Sequence, residues 1–118
     1  MKERNFKSII FHKSSCITCK KTISELDRMK IDIQKRDFFK EPFSETELKQ
    51  IIKLLDSKPN ELLRKRDKMY KELDLNNIKL SDDKIIKLMA KYPGLIRRPI
   101  IIKKNKGHVG KINVKNLK

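Results

Sequence analysis

The fold is decided by the stretch KSIIFHKSSCITCKKTISELDRM, which spans residues 7–29. It begins with a β-branched and aromatic run, Lys7 to Phe11, that is typical of a buried strand. After a loop at residues 12–15, less polar residues recur three and four positions apart, as they do on one face of a helix. These residues are Cys16, Cys19, Thr22, Ile23, Leu26 and Met29. We therefore expect a strand, a loop and a helix, with Ser15 as the helix cap.

The residues after this helix predict a second strand. Ile31 and Ile33 alternate with charged residues and would share one face, and the run continues through Asp37, Phe38 and Phe39. A strand, a helix and a strand in this order form a βαβ unit.

The middle of the chain has the patterns of helices. Ser44 and Glu47 fit a capping box at the start of a helix that ends before Pro59. One or two short helices are expected from Glu61 to Leu73, and Ser81 is expected to cap a helix that stops at Pro93-Gly94. The expected inward-facing residues are Leu48, Ile51, Ile52, Leu55, Leu62, Leu63, Met69, Tyr70, Leu73, Ile85, Ile86 and Met89.

The last part of the chain predicts an antiparallel hairpin. Pro99 to Lys103 is a predicted strand, Asn105-Lys106-Gly107 a turn, and the partner strand lies around Val109. The whole order indicates an α/β fold with helices on a small mixed sheet. Because 118 residues suit one core, we expect a single domain, 1–118, with a helical insertion at about 44–92.

Composition indicates a folded, strongly basic protein. Lysine and arginine total 31 against 15 acidic residues, a formal charge of +16, and 37% of residues are hydrophobic and fall in short periodic groups. Such charge favours an anionic partner, whether nucleic acid, anionic lipid or a small oxyanion, although a solvated lysine surface explains it equally well. Aromatic residues are only 6%, and no DNA-reading helix is recognisable.

No segment has the length of a membrane span. The longest aliphatic run, Ile100-Ile101-Ile102, is far short of the roughly 18 apolar residues that a span requires. The run from Ser8 to Phe11 is also too short for the apolar region of a signal peptide. We expect a cytoplasmic protein without a membrane partner.

The strongest chemical signal is the pair Cys16 and Cys19, the only cysteines, at the start of the first helix. Residues three apart lie on one helix face, so the two sulfurs can close a disulfide or exchange a proton. Free amides, the helix dipole and lysines near in sequence (Lys13, Lys20 and Lys21) are expected to lower the pKa of Cys16.

Two other interpretations of the cysteines stay open at this point. In the first, the cysteines are a small buried pair or form a structural disulfide, which is uncommon in an intracellular chain. A zinc site is the second alternative, with His12 and His108 completing four ligands, but the spacing lacks the pairs of zinc fingers.

Arginines form two groups, Arg64 with Arg66 and Arg97 with Arg98. A guanidinium offers a planar fork of donors that suits a tetrahedral oxyanion better than lysine does. Two such forks beside a thiolate would make an anion pocket. The simpler alternative is a pair of solvated surface charges.

Four segments together resemble one family. They are Ile9 to Phe11, Cys16-Ile-Thr-Cys19-Lys20-Lys21, Leu62-Leu63-Arg64-Lys65 followed by Tyr70, and Pro93-Gly94-Leu95-Ile96-Arg97-Arg98-Pro99-Ile100. In this order they resemble the arsenate reductase and Spx family of thioredoxin-fold proteins, over nearly the whole chain. The resemblance implies a thioredoxin-like (glutaredoxin-like) sandwich.

The resemblance also implies residue roles. Cys16 would be the nucleophile, with the oxyanion held by Arg64, Arg98 and a third basic residue that falls near Lys111. Cys19 or an external thiol, supplied by glutathione and glutaredoxin or by thioredoxin, would resolve the adduct. No bound cofactor is expected, Pro99 would be cis, and the tail after Val109 leaves little of the family's final helix.

The two branches of the family divide these features. Arg64 matches the reductases, which commonly have serine at the position of Cys19 and arginine at that of Lys111. Cys19 matches the Spx proteins, which use the cysteine pair as a redox switch while binding the α subunit of RNA polymerase. The resemblance thus implies either an oxyanion reductase or a redox-controlled regulator, and we expect a monomer.

Overall fold

The computed structural model describes residues 8–103 and 106–110. Its residues group into two compact units, Met1–Glu41 with Arg98–Lys118, and Pro42–Arg97. In the described ranges, no helix has the length and apolar character needed to cross a membrane.

The first unit contains a four-stranded mixed sheet. Its strands are β1 (Ser8–His12), β2 (Gln34–Asp37), β3 (Ile100–Lys103) and β4 (Lys106–Val109), in the spatial order β2-β1-β3-β4. The pairing of β1 with β2 is parallel, whereas β1 with β3 and β3 with β4 are antiparallel. The apolar runs of β1 and β3 are buried at the centre of this sheet, as their near-continuous hydrophobicity predicts.

Helix α1 (Ile17–Arg28) connects β1 to β2 and completes the βαβ unit. Its inward face buries Cys19, Thr22 and Leu26. Leu26 packs in a core cluster with Ile10 of β1 and Ile101 of β3. Partly buried residues around this cluster are Ile23, Met29, Ile31 and Ile33. Sheet and helix together confirm the α/β expectation.

The second unit is helical. It contains α2 (Glu45–Leu55), α3 (Pro59–Leu62), α4 (Lys68–Glu72) and α5 (Asp82–Lys91), with 3₁₀ segments at Leu75–Asn77 and Pro93–Leu95. The capping box of Ser44 and Glu47 and the cap at Ser81 are present as predicted. The predicted inward-facing residues that are buried here are Leu48, Ile51, Ile52, Leu62, Leu63, Ile85, Ile86 and Met89.

The second strand is shorter than the sequence predicted. Ile31 and Ile33 lie before β2, and Phe38 and Phe39 lie in the turn after it. The chain leaves α1 through Lys30 in a left-handed conformation (φ 56°), so the apolar residues that follow reach the core from a loop. Burial of an apolar residue therefore does not require a strand at that position.

Three further boundaries differ from the predictions. Cys16, not Ser15, is the N-cap of α1, because its sulfur accepts the N–H of Cys19. His12 belongs to β1, where it pairs with Asp37, rather than to the loop. Lys106 begins β4 opposite Lys103, so Lys106 and Gly107 are strand rather than turn residues.

Candidate functional site

Cys16 stands at the junction of β1, a turn and α1. Its N–H donates to the carbonyl of Lys13 at 3.0 Å, which closes the turn. Its backbone is extended (φ −80°, ψ 121°), and its Sγ accepts the N–H of Cys19 at 3.4 Å. The thiol therefore lies at the free amides of a helix N-terminus. It is also partly exposed, so a reactant can reach it.

The surroundings of Cys16 favour its thiolate. Partial burial opposes ionisation, but hydrogen bonds from the N–H and thiol of Cys19 and from the Arg98 guanidinium outweigh it and lower the pKa of Cys16. The sequence predicted this direction from the helix N-terminus and from nearby lysines. The structure identifies Arg98, far along the chain, as the cation that contacts the sulfur.

Cys19 has the opposite character. Its side chain is fully buried, and burial together with the neighbouring Cys16 sulfur raises the pKa of Cys19 to about 12. The backbone N–H of Lys13 favours its thiolate but does not offset these effects. Both cysteines are free thiols. Cys16 is thus the accessible acidic thiol, and Cys19 is a protonated donor behind it.

Arg98 reaches the cysteines from a position two residues before β3. The Arg98–Pro99 peptide bond is cis, as the resemblance implied. The Arg98 guanidinium carbon lies 5.5 Å from the centre of the Phe39 ring. Arg98 is therefore held between an aromatic face and the Cys16 sulfur.

Asp37 fixes the loop that carries Cys16. Its carboxylate accepts the N–H and the hydroxyl of Ser14, and the N–H of Phe39 at 2.9 Å. Burial opposes the charge of Asp37, but these hydrogen bonds and the Lys40 N–H lower its pKa. Neither Asp37 nor Phe39 is predictable at the site from the sequence, because only the pairing of β1 with β2 brings them to the loop that carries Cys16.

Arg64 and Arg97, two further arginines named from the sequence, have described contacts within the helical unit. Arg64 belongs to the helical unit, where Nη1 donates to Asp67 at 3.3 Å and the backbone N–H donates to the Leu95 carbonyl at 2.7 Å. Arg97 donates from Nη1 to the Glu61 carbonyl at 3.2 Å. Lys111 and the tail after it lie outside the described residues.

A metal site is not assembled in the described part of the chain. Within residues 8–103 and 106–110, no three His, Cys, Asp or Glu side chains come together as they would around a metal ion. The zinc alternative required Cys16, Cys19, His12 and His108, all of which are described. His12 instead lies in β1, and its burial lowers its pKa.

A mixed sheet and a Cys-x-x-Cys pair at the N-terminus of the helix after β1 define a protein of the thioredoxin-like class. Comparison with known families narrows this class. The ArsC family profile matches residues 11–114, and the chain belongs to that family.

The similar proteins have two kinds of names. Over 101 residues the chain is 33% identical to global transcriptional regulator Spx 1 of Oceanobacillus iheyensis and 32% identical to global transcriptional regulator Spx of Bacillus subtilis. Each match covers 86% of this chain and 77% of the relative. A solved arsenate reductase from Vibrio cholerae has a TM-score of 0.84 and 27% identity, over 95% of this chain and 96% of that one. The thioredoxin-like fold is confirmed.

Proposed function

We propose that this protein is a thiol-dependent reductase of an oxyanion such as arsenate, with Cys16 as the nucleophile. The observation that carries the proposal is a partly exposed thiol whose pKa is lowered at a helix N-terminus beside Arg98. A thiolate is the reactive form, and a guanidinium next to it stabilises charge on a bound oxyanion.

The reaction has two steps. The Cys16 thiolate forms a bond to arsenic, and one arsenate oxygen leaves as water after protonation. A second thiolate then attacks the Cys16 sulfur, and the sulfur–arsenic bond breaks with its electron pair staying on arsenic. Arsenic(V) becomes arsenic(III), and two thiols become one disulfide.

The second thiol is Cys19 or an external thiol. Cys19 is adjacent, but burial and the Cys16 sulfur hold its pKa near 12, so it becomes a better nucleophile once Cys16 is neutral in the adduct. An external thiol reaches the Cys16 sulfur from the exposed side. Glutathione with glutaredoxin, or thioredoxin, then restores the reduced protein, and no bound cofactor is required.

Three basic residues are proposed to bind the oxyanion, on the pattern of the resemblance. Arg98 contacts Cys16 already, and Arg64 and Lys111 are the other two. Lysine at position 111 gives a point charge rather than a bidentate fork. For the same reason we expect Arg98→Lys to lose much of the turnover.

The test is arsenate-dependent NADPH oxidation coupled through glutathione and glutaredoxin, and separately through thioredoxin and its reductase. We expect turnover in at least one system, none with phosphate in place of arsenate, and none in Cys16→Ser. Absence of turnover in both systems would overturn the reductase proposal.

A second function is favoured by Cys19 and by the regulators among the relatives. In this alternative the protein is a redox switch of the Spx type that binds RNA polymerase, and a Cys16–Cys19 disulfide changes the surface around Cys16. Disulfide formation would remove the Cys16 thiolate that now pairs with Arg98.

The switch is tested by recovering partners from a host lysate with reduced protein, oxidised protein and Cys16→Ser. Polymerase recovery that differs between the two redox states, and is insensitive to oxidant in Cys16→Ser, supports the switch. Equal recovery in all three rejects it. Retention on DNA alone does not count, because a charge of +16 gives salt-sensitive, sequence-independent binding.

A further inference from the structure

Lys13 lies in the loop between β1 and α1, the cysteine loop, and has no acidic partner among the described residues. It is half-buried, and its backbone contacts both cysteines, because its carbonyl accepts the Cys16 N–H and its N–H donates to the Cys19 sulfur. Its ammonium nitrogen lies 4.6 Å from the centre of the Phe39 ring. Among the residues that the structure describes, no carboxylate comes within 4.0 Å of this nitrogen.

Phe39 therefore contacts two cations, since the Arg98 guanidinium lies 5.5 Å from the same ring centre. Two contacts hold Phe39 in place, one through its backbone and one through its ring. The backbone N–H of Phe39 donates to Asp37 at 2.9 Å, and its ring packs against the fully buried Phe38 with 5.1 Å between centres. A fixed ring of this kind presents both cations at the loop of Cys16.

Two like charges on one ring repel each other, and the ring offsets only part of that cost. A bound anion offsets the rest, because it interacts favourably with both cations at once. The nearest reactive group is the Cys16 thiolate, which Arg98 already contacts. The pair is thus suited to an anion that approaches Cys16.

We propose that Lys13 is a further anion-binding residue, which together with Arg98 holds a tetrahedral oxyanion against the Cys16 sulfur, and that Phe39 is the positioning residue for both cations. This inference rests on the proposed oxyanion chemistry and adds to it a cation from the cysteine loop. Lys13 acts on the anion, whereas Arg98 acts on both the anion and the thiol.

The probe is inorganic phosphate, an unreactive analogue of arsenate, in Cys19→Ser protein, where Cys16 is the only thiol. Bound phosphate is expected to slow alkylation of Cys16 by iodoacetamide. In Lys13→Gln the phosphate concentration that halves the rate is expected to rise about fivefold or more, and in Lys13→Arg to change about twofold or less. Lys40→Gln, which removes an exposed charge beside Phe39, is the matched control and is expected to leave it unchanged.

A pH profile separates anion binding from effects on the thiol. Without phosphate, the midpoint of alkylation against pH is expected to stay the same in Lys13→Gln and to rise in Arg98→Gln. A general loss of structure would instead shift the pH midpoint of alkylation similarly in both variants.

Phe39→Leu and Phe39→Tyr test the ring. Leucine is expected to weaken phosphate protection at least as much as Lys13→Gln, because it releases both Lys13 and Arg98 from the ring. Lys13→Gln is expected to add little further loss in the Phe39→Leu protein, because the Lys13 charge is no longer positioned there. Tyrosine keeps the aromatic face and is expected to retain protection.

These outcomes separate the inference from the reductase proposal. Phosphate protection that depends on Lys13, without arsenate turnover, keeps the anion site and rejects the reductase. Arsenate turnover with an unchanged KM in Lys13→Gln keeps the reductase and overturns the role of Lys13. Absence of phosphate protection in the Cys19→Ser protein also overturns it.

Discussion

Cys16 and Cys19 have the same side chain but different acidities because they meet different surroundings. Cys16 is partly exposed and accepts hydrogen bonds from Cys19 and Arg98, whereas Cys19 is fully buried next to the Cys16 sulfur. Burial raises the free energy of a thiolate, and donors lower it. The pair therefore divides into a nucleophile and a protonated neighbour.

Arg98 is expected to contribute directly to the acidity of Cys16. In the Cys19→Ser background, Arg98→Gln is expected to raise the pKa of Cys16, because it removes the cation that contacts the thiolate, and solvent screening limits the rise for this partly exposed pair. The ultraviolet absorbance of the thiolate against pH measures this shift. Arg97→Gln is the matched control, since Arg97 donates to the Glu61 carbonyl, and an equal shift in both variants would contradict the assignment.

Asp37 is expected to stabilise the fold in a pH-dependent way. Its pKa is lowered in the folded protein, so its stabilising contribution is present above the unfolded value and lost as pH falls through the folded value. Asp37→Asn is expected to cost about 1 kcal/mol near pH 7 and progressively less as the pH falls through the lowered pKa of Asp37. Urea unfolding of both proteins across pH tests this, and a cost independent of pH would contradict it.

Helix ends carry much of the local information in this chain. Ser44 and Glu47 exchange side-chain and backbone hydrogen bonds of 3.1 Å and 3.2 Å at the start of α2, and Ser81 caps α5. Cys16 does the same for α1 through a sulfur, so one atom both caps the helix and is the proposed nucleophile. Substitution of Cys16 therefore changes a helix cap as well as chemistry.

Loss of the α2 capping box is expected to destabilise the protein. Ser44→Ala removes the acceptor for the Glu47 N–H and is expected to lower the free energy of unfolding by about 1 kcal/mol. Urea unfolding followed by circular dichroism measures it. Thr46→Ala is the control, because Thr46 is exposed and lies two residues after Ser44 in the same helix. It is expected to leave the free energy of unfolding unchanged, and an equal loss of stability there would exclude a capping effect.

The whole chain is proposed to behave as a single domain, although its residues group into two compact units. A chain of 118 residues has the size of one cooperative domain. The helical unit, Pro42–Arg97, is close to the insertion expected at about 44–92.

Core truncations in each unit test this cooperativity. Leu26→Ala in the first unit and Met89→Ala in the second each remove a fully buried side chain and are each expected to cost about 2–5 kcal/mol. In one cooperative domain, both variants shift the same single urea transition. A biphasic curve in which each substitution moves only one phase would show two separate domains.

Sequence patterns predicted the helices of the middle of the chain well, because the residues that specify them lie close together in the sequence. The capping box at Ser44, the cap at Ser81 and the buried faces of α2 and α5 depend on residues within one or two helical turns. The predicted β2 boundaries were wrong because Ile31, Ile33 and Phe38 are apolar in loops and turns, where hydrophobicity alone does not distinguish a strand.

The sequence by itself determined the βαβ start, the helical middle, the terminal strands and the importance of Cys16 and Cys19, since adjacent residues carry each of these signals. Only the tertiary structure brought Arg98 to the Cys16 sulfur, Asp37 to Ser14, and both Lys13 and Arg98 to the ring of Phe39. These contacts join the loop after β1, the end of β2 with the turn after it, and the segment before β3. Strand pairing decides which of these segments meet, and the periodicity of the sequence does not encode strand pairing.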